Sequence, residues 1–358
     1  MSFGSVNYQS DLVARSLLTT GHIYVDRAVN GTDSKPVGLD TTPVRIAIAN
    51  ARNENTNLNE HGMALVQSVS PSIDFYDEQQ ILTSYYSDCC RIVQEATGAR
   101  KVFAYDHNIR QSVKKSWLNA DGTESKEIVG RQATGNSKVI KGGSEVQAPA
   151  AIVHNDFSLT SAPRRLRQLA EAPRLNDTLR KVLGNAPLIS ADELTRAIAD
   201  GDDGGGSDND GGHEGGKGRY VFINLWRNIT EYPVEDMPLA LCDARTIAAD
   251  DLITFEIRYA DRVGENYFAR HRNAHRWLYY PKMTKDEALL IKVWDSAGAL
   301  ALDATRPSGH TQTVGNTAAD TTNNTLSTFS FHSAFKDENA PVDCPSRESI
   351  EVRLLALF

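Results

Sequence analysis

A mainly β chain with flanking helices is predicted by three features of the sequence. Short apolar runs bounded by turn residues recur at 149–153, 220–227, 277–283 and 288–296, each of strand rather than helix length. The run 346–355 alternates between two faces with period two, as a strand does. Apolar residues at helical spacing are clearest at 81–93, before most of these strands begin.

Taken in order, residues 1–100 combine strand-like pieces such as His22-Ile23-Tyr24-Val25 with the amphipathic run 81–93, and are expected to form an N-terminal cap region. Tyr85 and Tyr86 lie on that helical run, where an aromatic is more often core than pocket wall. Pro149-Ala150-Ala151-Ile152-Val153 reads as a strand entering a core and ending in His154-Asn155-Asp156. Residues 199–218 are almost all Gly, Asp, Asn and Ser, too polar to offset their chain entropy, and are expected to be a mobile loop. His213-Glu214 lacks the second histidine of a zinc protease motif.

The strand 220–227 carries Asn224 and ends at Arg227, which has two readings, a structural ion pair or an anchor for an anionic substrate. Arg110 and Asp243, also at strand ends, have the same two readings. Trp277-Leu278-Tyr279-Tyr280-Pro281, an acidic turn and the apolar run 288–296 read as a hairpin-like pair leading toward His332. A second polar insertion, 304–328, is a solvated excursion, a lid or a contact within a homo-oligomer.

With 358 residues, 40% hydrophobic and 23% charged, the chain can bury a sizeable core and reads as a single elaborated domain, 1–358. Its net charge of −8, with basic residues scattered apart from Arg164-Arg165-Leu166-Arg167, argues against a nucleic-acid surface. No apolar run approaches the roughly 20 residues that span a bilayer. The start Met1-Ser2-Phe3-Gly4-Ser5 lacks a signal pattern, so a soluble cytoplasmic protein is expected. Cys89, Cys90, Cys242 and Cys344 show no Cys-X-X-Cys spacing, and reduced thiols are the simple expectation.

The chemistry-bearing motif is His154-X-Asp156. Residues i and i+2 of a strand share a face, so an imidazole and a carboxylate would meet one pocket. Alone, such a pair is commonly a polar strand end. With a second histidine from elsewhere it becomes the 2-His-1-carboxylate facial triad of non-heme iron, which leaves coordination positions open. His332 and His275 both offer that histidine. Past His332, one face of the strand 346–355 carries Arg347, Ser349, Glu351 and Arg353. The plain reading is a solvent-exposed charged stripe. The alternative is that the Arg347 guanidinium and Ser349 hydroxyl clamp the distal carboxylate of a keto acid.

The blocks Phe103-Ala104-Tyr105-Asp106-His107-Asn108-Ile109-Arg110, Val153-His154-Asn155-Asp156, Asn224-Leu225-Trp226-Arg227, Pro238-Leu239-Ala240-Leu241-Cys242-Asp243, Trp277-Leu278-Tyr279-Tyr280-Pro281, Trp294-Asp295-Ser296, His332-Ser333-Ala334-Phe335 and Arg347-Glu348-Ser349-Ile350-Glu351-Val352-Arg353 occur in this order. Together they resemble the signature of the AsaB-type, 7α-cephem-methoxylase-related hydroxylase/desaturase family, within the iron(II)/2-oxoglutarate-dependent oxygenases. The resemblance runs from about residue 100 to the end of the sequence.

It implies a double-stranded β-helix (jelly-roll, cupin-like) core over 101–358, with 199–218 and 304–328 as loops. It also implies His154, Asp156 and His332 as iron ligands, Arg347 and Ser349 as 2-oxoglutarate anchors, and O2 as the further co-substrate. His332 is preferred to His275 because it follows the long apolar strand and has an Arg-X-Ser downstream.

The activity implied is C–H activation of a small molecule in specialised (secondary) metabolism, by hydroxylation or desaturation. Oxidative C–N ring closure on an amino acid, such as formation of an aziridine-type ring, is the alternative. Arg110, Arg227 and Arg353 are candidates to hold an amino acid or another carboxylate-bearing substrate. From other classes, a non-catalytic barrel would bind without consuming keto acid, and a zinc hydrolase would leave the Arg-X-Ser pair without a role.

Overall fold

The computed structural model describes residues 1–28, 33–112, 146–199, 218–304 and 326–358. The expected loops at 199–218 and 304–328, with His213 and Glu214, lie almost wholly outside the described residues. Among the described residues, fifteen strands run in chain order: β1 (Ser2–Gln9), β2 (Tyr24–Arg27), β3 (Thr41–Asn50), β4 (Met63–Gln67), β5 (Lys101–Gln111), β6 (His154–Asn155), β7 (Tyr220–Asn228), β8 (Leu239–Cys242), β9 (Leu252–Tyr259), β10 (Val263–Ala269), β11 (Trp277–Tyr279), β12 (Glu287–Asp295), β13 (His332–Ala334), β14 (Lys336–Asp337) and β15 (Glu348–Leu357). They form a ten-stranded sheet, ordered β14-β1-β3-β11-β8-β13-β6-β10-β9-β2, and a five-stranded sheet, ordered β4-β12-β7-β15-β5.

The main core lies between the two sheets of this double-stranded β-helix. Tyr8, Ile48, Trp277 and Phe331 come from the larger sheet side, and Phe222, Trp226, Leu289 and Leu355 from the smaller. A second core covers the outer face of the smaller sheet. There Ile223, Leu225, Ile350, Val352 and Leu354 pack under the helical run containing Ile81, Tyr85, Tyr86, Cys89 and Val93. Both faces of the smaller sheet are therefore buried, and β7 and β12 have no exposed position.

That helical run starts at Asp77, whose carboxylate accepts the Gln79 and Gln80 N–H groups. The helix Tyr86–Thr97 ends at Gly98, which takes φ +70° and returns its N–H to the Gln94 carbonyl. Tyr85 and Tyr86 are core residues of this layer.

Two expectations need correction. The first hundred residues are not a cap set apart from the barrel, because β1, β2 and β3 belong to the larger sheet and β4 edges the smaller. In β1 the small residues Ser2 and Gly4 share the inward face with Val6 and Tyr8. Gly4 permits close approach, since a Cβ there would lie 2.5 Å from the Phe335 ring. Nor are 277–283 and 288–296 a hairpin. β11 pairs with β8 and β3 in one sheet, and β12 with β7 and β4 in the other. The intervening turn crosses between sheets through Pro281, which has no N–H, and Lys282 at φ +53°.

Glu287 locks that crossing. Arg52 binds both its carboxylate oxygens, at 2.6 and 2.8 Å, while Thr284 N–H and the Gln67 amide also donate to it. Among the described residues, no helix is long and apolar enough to cross a membrane.

Burial alone would raise the Glu287 carboxyl, but the Arg52 and Thr284 hydrogen bonds outweigh it and bring it down to about 2. A carboxyl depressed by folding stabilises above its unfolded value of about 4.3, and that contribution is lost as pH falls through the folded value. Glu287→Gln is expected to cost about 1–3 kcal/mol at pH 7. The gap from wild type should narrow on acidification toward pH 2, as measured by urea midpoints across that range; a gap independent of pH would contradict the assignment.

Candidate functional site

The site forms where β13 lies beside β6, with His332 directly opposite His154 in the antiparallel register. Their ring centroids are 4.3 Å apart and their planes 53° apart. Asp156 follows β6 at a bend and turns its Oδ1 to 3.8 Å from His154 Nε2. One ligand atom from each of His154, Asp156 and His332 fits within a 4.8 Å span, the group among the described residues arranged to hold a metal ion.

The protonation states suit a cation. His154 Nδ1 lies 2.8 Å from the Ile152 carbonyl, to which it donates, leaving Nε2 with its lone pair free. Burial, reinforced by His332, pushes His154 down to about 4, and burial also lowers His332. Burial would raise Asp156, but Arg353, the two imidazoles and the Asn224 amide outweigh it and hold the carboxyl well below the usual range. Two neutral imidazoles and one carboxylate are a donor set for a divalent transition metal.

The carboxylate is also oriented. Asn224 Nδ2 donates to Asp156 Oδ2 at 2.7 Å, and Arg353 Nε lies 3.6 Å from the same oxygen. Oδ1, the oxygen nearer His154, is thereby left for the metal. Asn224 was reachable from the sequence, because alternation along β7 sets residues 224 and 227 on opposite faces. The inward one is Asn224.

Arg227 is therefore corrected as a substrate candidate. It lies on the outer face, fully buried, and donates to Tyr85 Oη and to the Ser68 and Lys285 carbonyls. Arg353 is corrected as well: its guanidinium is engaged by Asp106 at 2.8 Å and by Asp156, so it braces the carboxylate rather than awaiting a substrate.

Asp243 serves a structural role, pairing with Arg245 at 2.7 Å and Arg276 at 3.3 Å. His275 lies elsewhere, between Tyr8 Oη at 3.0 Å and Asp251 Oδ2 at 3.0 Å. Those partners occupy both its ring nitrogens.

Arg347 and Ser349 stand on the inward face of the smaller sheet and are buried. Arg347 donates to the Met237 carbonyl and lies 5.4 Å from the Trp226 ring, while its Nε and the Ser349 Oγ are buried without partners among the described residues. Two orphaned polar groups at one strand end fit a missing acceptor such as a carboxylate. Burial and the Arg110 cation push Arg347 down to about 9. Arg110, opposite Ser349 on β5, reaches the Ala148 carbonyl at 2.9 Å. Glu351, next along the inward face of β15, is raised by burial and by the Asp156 carboxylate.

Asn224→Ala is expected to weaken Co(II) binding by about tenfold to a hundredfold, measured by calorimetry on the full chain. Unchanged affinity would remove Asn224 from the site's support. Because the imidazoles are lowered, their metal-binding neutral form persists below the ordinary histidine range. Wild-type affinity should therefore fall less between pH 7.5 and 5.5 than ordinary imidazoles would allow, with competition by the His154 proton growing toward pH 4.

A model of the oxidoreductase/YMDC permease-like domain family matches residues 7–184 and 210–318. The chain is 29% identical to an uncharacterized protein in the dcmA 3′ region of Methylophilus leisingeri, over 63% of this chain and 89% of that protein. It is 25% identical to the hydroxylase/desaturase efuI of Hormonema carpetanum, over 89% and 84% of the two chains. The solved structure of the iron and alpha-ketoglutarate-dependent endoperoxidase NvfI superposes with a TM-score of 0.58 at 19% identity, covering 99% of this chain and 97% of that one, and shares its fold. The chain has relatives named hydroxylase/desaturase and Fe(II)/2-oxoglutarate-dependent dioxygenase, and it belongs to the oxidoreductase/YMDC permease-like domain family.

Proposed function

We propose that the chain is a non-heme iron(II)/2-oxoglutarate-dependent dioxygenase of specialised metabolism that activates a C–H bond of a small molecule for hydroxylation or desaturation. The observation that carries this reading is the convergence of His154, Asp156 and His332 within 4.8 Å in a buried site, with Arg347 Nε and Ser349 Oγ left without partners among the described residues. In this reading the first three residues hold iron, and Arg347 with Ser349 receives the distal carboxylate of 2-oxoglutarate. Iron held there would supply, with the keto acid and dioxygen, oxidising power toward a C–H bond, at the expense of converting the keto acid to succinate and carbon dioxide.

The chain's own residues prepare that chemistry. Asn224 and Arg353 occupy Oδ2 of Asp156, which directs Oδ1 to the metal and leaves positions open for co-substrates. The Ile152 carbonyl sets the His154 tautomer. Phe157, stacked on Phe222 at 4.5 Å, and Trp226 are apolar walls between the sheets. Hydroxylation, desaturation and C–N ring closure on an amino acid share the same first step, and the protein chooses by where it holds the substrate carbon. A cytoplasmic setting accompanies this reading, supported by four cysteines that form no disulfide.

Anaerobic addition of iron(II) and 2-oxoglutarate to metal-free protein is expected to produce the weak visible charge-transfer band of a chelated keto acid. His154→Ala and His332→Ala should abolish it by losing iron, whereas Arg347→Ala should keep iron and lose the band at wild-type keto-acid concentrations. Iron binding without a band in wild type would overturn the reading in favour of a zinc hydrolase or a non-catalytic barrel.

A further inference from the structure

The inward face of β15 presents Arg347, Ser349, Glu351 and Arg353 in sequence, successive side chains standing about 7 Å apart. Arg353 is committed to Asp106 and Asp156. Arg347 and Ser349 are assigned above to the co-substrate. Glu351 has no such assignment, and its side chain is only 7% exposed.

Among the described residues, no donor reaches Glu351 within hydrogen-bond distance. The nearest cationic nitrogen, Arg353 Nη2, is 3.9 Å away and belongs to a guanidinium already held elsewhere. A carboxylate removed from water without donors is costly, and the cost is relieved when a cation arrives. Arg110 is the complementary case. It stands on the neighbouring strand β5, opposite Ser349 and diagonal to Glu351, and spends one Nη1 hydrogen on the Ala148 carbonyl.

Arg110 and Glu351 form no salt bridge with one another among the described residues, although each is the other's electrostatic neighbour. Opposite charges facing one interior and left apart make a site for a ligand that carries both signs. A solely anionic ligand would leave Glu351 unmatched, and an apolar one would bring neither group a charged partner.

We propose that Glu351 and Arg110 are the recognition pair for a zwitterionic primary substrate, a free α-amino acid, with Glu351 taking the ammonium and Arg110 the carboxylate. This inference rests on the oxygenase reading above and names the substrate class of that site. It also orders the pocket. The co-substrate lies at the Arg347 end of β15, and the amino acid lies at Glu351, between that end and the Arg353 that braces Asp156.

The test uses the full chain loaded anaerobically with Zn(II) and 2-oxoglutarate, so that binding is read without turnover. The twenty common L-α-amino acids, with their N-acetyl and carboxamide derivatives, are screened by thermal shift and ranked by calorimetry. At least one free amino acid should bind, and blocking either end should weaken it tenfold or more. Glu351→Gln and Arg110→Gln should each weaken the free amino acid tenfold or more, and Glu351→Gln should remove the penalty for N-acetylation.

The blocked ligands keep the test independent of whether a variant folds. Zn(II) and 2-oxoglutarate binding with no free amino acid bound, or with blocked forms bound as tightly as free ones, would overturn the recognition pair and leave the oxygenase reading standing. Failure of Zn(II) and 2-oxoglutarate to bind would overturn both.

Discussion

The pairing of β13 with β6 is the constraint on which the site depends. It is a single register position, His332 opposite His154, between segments remote in sequence, and it closes only because both strands lie inside a wide sheet. β8 holds β13 on its other edge through Leu241, Ala240 and Leu239, and β10 holds β6 through Phe268 and Tyr267. A slip of one residue on either side would turn an imidazole to the opposite face and dismantle the donor set. Neighbouring packing makes that slip expensive, since Phe329, Phe331 and Phe335 around β13 are fully buried.

The smaller sheet contributes the complementary half by reversing the usual polarity of a two-faced strand. In β15, Ile350, Val352 and Leu354 face outward, where the helix Tyr86–Thr97 and its π-helical entry at Ile81–Tyr85 cover them. Arg347, Ser349, Glu351 and Arg353 face the interior between the sheets. Buried charge is tolerated there where it is matched, as Arg353 is by Asp106 and Asp156. β7 obeys the same rule, with Asn224 inward on Asp156 and Arg227 outward in the helical layer.

This arrangement divides the arginines into two kinds by what their nitrogens already hold. Arg227 and Arg353 hold structure together. Arg347 retains a buried Nε without a protein acceptor among the described residues, and Arg110, bonded to the Ala148 carbonyl, lies opposite Ser349 on β5. The relatives named as hydroxylase/desaturase and as an endoperoxidase show that this architecture hosts more than one oxidative outcome. The polar groups left free between the sheets are where such outcomes would be selected.

Much of this was legible in the residues. Period-two alternation identified β15 and both of its faces, His-X-Asp marked the first two donors, and the helical spacing at 81–93 marked the outer layer with Tyr85 and Tyr86 in its core. Alternation also separated Asn224 from Arg227, although the sequence reading weighed only Arg227 for a role. What local pattern could not supply was direction. Period two says which residues share a face, but whether that face meets water or a second sheet depends on what packs above it, so the inward turn of Arg347 and Ser349 was decided by the helix covering the apolar side. The same holds for β11 and β12, adjacent in sequence yet in opposite sheets, and for His275, which Tyr8 and Asp251 hold away from His154. The sequence by itself determined the strands, their faces and the chemical types of the donors. Which histidine completes the set, and which charges face the interior, were decided by long-range strand pairing, because register and layer order are properties of contacts between distant segments.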